Sequence, residues 1–91
     1  MFAVTRLRAT EEEGAVLAEA VVPLLAALAG RPGFRDGELG QSADDPTLWA
    51  LVTRWDGVGS YRRALSAAEV KITGAPVWVR AVDEPGAYVT D

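Results

Sequence analysis

A chain of 91 residues has room for one domain, residues 1–91, and none for separate catalytic and binding halves. Nearly half of the residues are hydrophobic, which argues against disorder, and a net charge of −4 without a basic stripe disfavours a nucleic-acid partner. There is no cysteine and no histidine, which removes disulfides, thiolate chemistry, and the commonest general base and metal or haem ligand.

Met1-Phe2-Ala3-Val4-Thr5-Arg6 lacks the charged start and apolar core of a signal peptide, so a cytoplasmic location is expected. Phe2 to Ala9 reads as a strand, because apolar and β-branched residues alternate with Thr5, Arg6 and Arg8. Thr10-Glu11-Glu12-Glu13 is a capping box at the start of a helix, with carboxylates at the positive end of its dipole. Leu17, Val21, Leu24 and Leu28 recur at helical spacing, and Gly30 supplies the stop. Pro23 removes one backbone donor inside this helix, so a kink or local break is expected there. The apolar run Ala20 to Gly30, closed by Glu19 and Arg31, is far shorter than the roughly 18–20 residues of a membrane span. No membrane partner is expected.

Gly33 to Gln41 forms a second strand, weakened by Gly37 and Gly40, and Ser42-Ala43-Asp44-Asp45-Pro46 is a loop. The paired aspartates belong to that turn rather than to a metal site. Thr47 to Asp56 is the strongest strand, followed by a short helix that contains Val58, Tyr61 and Leu65, with Asp56 as its N-cap. Ala67 to Val82 stays open between two readings. Val77-Trp78-Val79 has a strand pattern, whereas Val70, Val77, Ala81 and Trp78, Val82 fit a helix broken at Pro76. Asp83-Glu84-Pro85-Gly86 is a turn, and Ala87 to Thr90 supplies a last short strand. The order β-α-β-β-α-β is the split-βαβ pattern. It predicts an α+β, ferredoxin-like fold, with an antiparallel sheet and helices on one face.

Side chains alternate along a strand, so Leu48, Ala50 and Val52 share one face of the third strand, and Trp49, Leu51, Thr53 and Trp55 share the other. If the helices cover Leu48, Ala50 and Val52, the tryptophan face is bare. Each buried tryptophan contributes on the order of 4–6 kcal/mol at most. A second copy packed sheet against sheet would cover such a surface, so a homodimer is expected.

Arg31-Pro32-Gly33-Phe34, Glu38-Leu39, Asp44-Asp45-Pro46, Trp49-Ala50-Leu51-Val52-Thr53-Arg54-Trp55 and the helix carrying Tyr61 together resemble the antibiotic biosynthesis monooxygenase-like domains over the whole chain. The resemblance implies a dimeric α/β barrel with a ligand cavity between sheet and helices or inside the shared barrel. Some members of the family oxidise polyketide quinols without metal or flavin, and some degrade haem. The haem-degrading branch uses an Asn on the first strand, a Trp ending the third strand and a His on the late helix. Trp55 matches the Trp, but Thr5 stands at the Asn position and the His position falls near Leu65-Ser66-Ala67. Tyr61, Tyr88, Met1 and carboxylates are poor axial ligands, so specific haem binding is not expected. No cofactor is expected at all. The cofactor-independent branch relies on a substrate that itself activates oxygen, helped by polar and aromatic pocket residues.

The candidate ligand-binding residues are therefore Thr5, Trp49, Thr53 and Trp55, an apolar set with two hydroxyls that suits a small planar, weakly polar ligand. The tryptophans could equally serve as core and dimer packing, and the threonines as good strand formers. Arg35 and Arg54 either stabilise an oxyanion or form surface pairs with Asp36, Glu38 or Asp56. Tyr61 is a general acid or a core tyrosine with its hydroxyl at the rim. Two functions fit. One is a cofactor-independent monooxygenase, an oxidoreductase acting on an aromatic or quinol-like metabolite. The other is a non-catalytic dimeric module that binds a small apolar ligand or has a structural role.

Overall fold

A computed structural model describes residues 1–90. Strand β1 spans Phe2–Arg8, a 3-10 turn at Glu11–Glu13 leads into helix α1 (Gly14–Ala29), and β2 (Phe34–Gln41) and β3 (Leu48–Trp55) follow as a pair. Helices α2 (Val58–Ser66) and α3 (Ala68–Trp78) return over the sheet to β4, which is only Ala87–Tyr88. The sheet order is β2-β3-β1-β4, with every neighbouring pair antiparallel. The first crossover therefore skips a place that β3 later fills, as in ferredoxin-like folds.

Local chemistry sets the boundaries. Thr10 Oγ1 accepts from the Glu13 amide at 3.3 Å while the Glu13 carboxylate accepts from the Thr10 amide at 2.9 Å, so the capping box is complete. Gly33 has φ +89°, a left-handed conformation that side chains resist, and a Cβ there would overlap the Ser60 side chain on α2. The same loop carbonyl accepts from the Asp56 amide at 2.8 Å, which ties the start of β2 to the end of β3.

Both prolines sit inside unbroken helices. Helix α1 runs through Pro23 without the expected break, and α3 runs through Pro76. Each proline is exposed, so the carbonyl it leaves unpaired one turn earlier faces water. That resolves the open segment as helix. Val70, Gly74 and Val77 form one buried stripe on α3, packed against Leu17, Val21, Leu24 and Leu28 of α1. Past α3, Arg80 to Val82 run beside β1 through the Arg8 amide to Arg80 carbonyl bond at 2.9 Å and the Val82 amide to Arg6 carbonyl bond at 2.8 Å.

The core lies between the helices and one face of the sheet. That face carries Ala3 and Leu7 of β1 with Leu51, Thr53 and Trp55 of β3, all buried, and Thr5 and Trp49 half-buried. The expected orientation of β3 is thus reversed. The tryptophan face lies under the helices, and the open side of the sheet shows Leu48, Ala50 and Val52 with Phe2 and Val4. Alternation groups residues correctly but does not say which group is covered. Here the larger side chains went to the side where two layers can enclose them.

Candidate functional site

A cleft of about 290 Å³ opens between β1 and the paired helices α2 and α3, lined by Thr5, Tyr61, Leu65, Lys71 and Trp78. Each residue arrives there for a local reason. Thr5 is the polar member of the inward set Ala3, Thr5, Leu7, opposite Leu51 of β3. Tyr61 and Leu65 are one helical turn apart on α2, and Lys71 and Trp78 are two turns apart on α3, so each pair shares a helix face. Trp78 lies across Gly74, where any Cβ would overlap the indole. Gly74 thus lets the ring fold back along its own helix toward the cleft.

Beneath the cleft sits Trp55, only 1% exposed. Its ring meets Phe34 edge-on with centroids 5.2 Å apart and tilts against Tyr61 at 5.9 Å. Its indole N–H donates to Thr53 Oγ1 at 2.8 Å, so that hydroxyl oxygen has an internal partner. Trp55, itself fixed by Thr53, therefore packs against the ring of Tyr61. Burial pushes the Tyr61 phenol above its ordinary value of 10.0, so it stays protonated in the neutral range.

Of the four residues expected to bind a ligand, only Thr5 lines the cleft; Trp55 is buried behind Tyr61, Thr53 is bonded to Trp55 within the core, and Trp49 lies elsewhere. Six residues at about 3.3 Å each put Trp49 roughly 20 Å from Trp55 along β3, beyond the reach of one small planar molecule. Trp49 packs under the start of α1, where a Cβ on Gly14 would lie 3.2 Å from its ring, and its buried indole N–H has no partner. Lys71 and Trp78 were missed in the sequence because they lie in the segment left open between strand and helix. Two signals pointed to them: Lys71 is the chain's only lysine, and Gly74 precedes Trp78 by one helical turn.

The arginines singled out earlier are engaged at the surface. Arg35 Nε contacts Asp56 at 2.7 Å and Arg54 contacts Asp36 at 2.8 Å, all four side chains being more than half exposed. Arg6 pairs with Glu84 on the open side of the sheet. That side also carries a hollow of about 280 Å³ over Arg6, Glu38, Leu48, Ala50 and Val52, and Trp49 reaches its edge. Among the described residues no group of three or more acidic side chains could hold a metal ion, and no helix is long and apolar enough to cross a membrane.

A model of the antibiotic biosynthesis monooxygenase family matches residues 1–73, about four-fifths of the sequence. The chain belongs to that family. The match includes Thr5, Tyr61, Leu65 and Lys71 of the cleft and ends before Trp78. Solved structures show the same fold. SnoaB, a cofactor-independent oxygenase from Streptomyces nogalater, superposes with a TM-score of 0.81 at 18% identity, covering 99% of this chain and 91% of that one. A candidate antibiotic biosynthesis monooxygenase of Nitrosomonas europaea gives 0.75 at 18% identity, over 97% and 84%. A conserved protein of Methanosarcina mazei gives 0.76 at 15% identity, over 94% and 84%. No curated protein matches the sequence. Within this family fold, the cleft between sheet and helices holds two hydroxyl donors, one cation and an apolar wall.

Proposed function

We propose that this chain is a cofactor-independent monooxygenase acting on a planar aromatic or quinol-like metabolite bound in the cleft. The observation that carries the reading is the lining itself, aromatic and aliphatic walls with a Thr5 hydroxyl and a protonated Tyr61 at one site. SnoaB, the cofactor-independent oxygenase of the same fold, supports it.

In such a reaction an electron-rich ring supplies the electrons that oxygen needs. A ring methylene takes one atom of O2 as a carbonyl oxygen, and its two hydrogens leave with the other atom as water. No outside reductant enters the balance. The residues of the cleft orient and solvate rather than exchange electrons. Trp78 and Leu65 exclude water from one side of the ring, and Thr5 hydrogen-bonds an edge oxygen. Tyr61 donates its proton toward oxyanions as they form, held at the right angle by Trp55.

We also propose that the protein works as a homodimer through the open side of the sheet. Phe2, Val4, Leu48, Ala50 and Val52 form a half-buried apolar surface there, with ion pairs at its margins. Such a surface resembles the core of an interface with its polar rim.

The test is oxygen uptake with a hydroxyanthrone in air. One O2 should be consumed per quinone formed, well above autoxidation, and Tyr61→Phe should lower kcat by roughly 10²–10⁴. A rate equal to autoxidation would favour the second reading, a non-catalytic binding module for the same ligand. One feature supports that module: the cleft lining contains no carboxylate to act as a base.

A further inference from the structure

We infer that Lys71 makes the cleft selective for planar aromatics that carry a carboxylate. The inference rests on the cleft being a ligand site and adds the charge of what fills it.

Three observations carry it. The first is the charge pattern. Thirteen acidic residues outnumber nine basic ones, yet the cleft lining holds one cation and no acid. A lining of positive sign in a chain of net negative charge is a local feature, and an anion entering it meets one cation and no carboxylate. The second is that Lys71 is unclaimed. Among the described residues, Arg6, Arg8, Arg35, Arg54 and Arg80 are each held by a carboxylate, whereas Arg31, Arg62, Arg63 and Lys71 are not, and of these only Lys71 lines the cleft. Lys71 makes no such pair among the described residues. Its neighbours one helical turn away on α3 are Ala68, Gly74 and Ala75, none of which can hold an ammonium group. The third is placement. Lys71 is exposed, stands on the same helix as Trp78 and shares the cleft with Leu65, so its charge sits at the rim of a slot whose other polar groups are two neutral hydroxyls. An exposed lysine with a flexible stem can follow an anionic substituent at the mouth while the ring lies inside.

The lining then divides by task. Trp78 and Leu65 contact the ring, Thr5 and Tyr61 hydrogen-bond its oxygens, and Lys71 pairs with the carboxylate. A carboxylate is chosen over a neutral hydroxyl because it is ionised throughout the neutral range. Neither Thr5 nor the protonated Tyr61 distinguishes an acid from its ester by charge, so Lys71 alone in the lining can do so.

The experiment titrates the full chain with a hydroxynaphthoate and with its methyl ester, reading tryptophan fluorescence at two salt concentrations. The wild type should bind the acid about tenfold more tightly than the ester at low salt, with the difference shrinking at high salt. Lys71→Met should bind both alike, Lys71→Arg should keep the preference, and Arg63→Met, an exposed α2 residue outside the cleft lining, should keep it too. Equal binding of acid and ester by the wild type would overturn the role of Lys71 while leaving the cleft as a ligand site. A preference that survives in Lys71→Met would also overturn it. Binding of neither compound would overturn both this inference and the proposed function.

Discussion

The two sides of the sheet are made by the same strands and meet different surroundings. On the helix side, Leu7, Leu51 and Trp55 are enclosed to within a few per cent, and the polar groups there are few and mostly matched. On the open side, Val4, Ala50 and Val52 stand half-buried among Arg6, Glu38 and Arg54. The first side has the character of a finished core, and the second is the surface through which we propose the homodimer forms. The cleft belongs to the finished side. It survives there because α2 and α3 are two short helices meeting at Ala67, and two ends cannot fill the space one straight helix would.

Substitutions should separate these sides. Trp55→Ala should cost about 3–5 kcal/mol of folding stability in urea, because a ring only 1% exposed and packed against Phe34 and Tyr61 leaves a cavity when removed. Trp55→Phe should retain the fold and lose the hydrogen bond to Thr53. Val52→Asp on the open side should leave the monomer folded and abolish the dimer in ultracentrifugation. A Val52→Asp chain that still sediments as a dimer would move the interface elsewhere.

The acid limb of stability should follow the two carboxylates held lowest. The Arg80 guanidinium, with the Thr10 amide and hydroxyl, lowers Glu13 from 4.5 to about 2. The Thr47 hydroxyl and amide, with Arg8, lower Asp45 from 3.8 to about 2. Both folded values lie below the unfolded ones, so this contribution is whole above roughly pH 5 and is lost as pH falls toward 2. Glu13→Gln should flatten that part of the urea midpoint against pH. Both groups are solvent-exposed, so the change should be small and should shrink in salt.

The smallest stability effect is expected at Gly74→Ala. The new methyl gains about 1 kcal/mol of helix propensity and displaces the Trp78 indole, which offsets it. Thermal melting should shift little while ligand affinity falls. An unchanged affinity would mean that Trp78 does not contact the ligand.

Much of this was legible in the sequence. The capping box at Thr10, the Leu17 to Leu28 stripe and the strand from Leu48 to Trp55 fixed the split-βαβ order, because each is a local pattern with a local cause. The side of β3 that faces the helices was not legible, since alternation is symmetric until a second layer is placed. The helix through Pro76 was obscured for a related reason. A proline reads as a break unless its solvent-facing position is known. Without that helix, Lys71 and Trp78 had no place beside Thr5 and Tyr61, so the site drawn from the first and third strands reached along β3 to Trp49.

The most direct test of where the ligand sits uses the three indole N–H signals of the chain, from Trp49, Trp55 and Trp78. Nitrogen-labelled protein would be titrated with a planar hydroxynaphthoate and followed by NMR, each signal assigned by single Trp→Phe substitution. Trp78 should shift in a saturable way, Trp55 should move little behind its bond to Thr53, and Trp49 should not move. A saturable shift confined to Trp49, with Trp78 unmoved, would place the ligand at the far end of β3 and contradict the account.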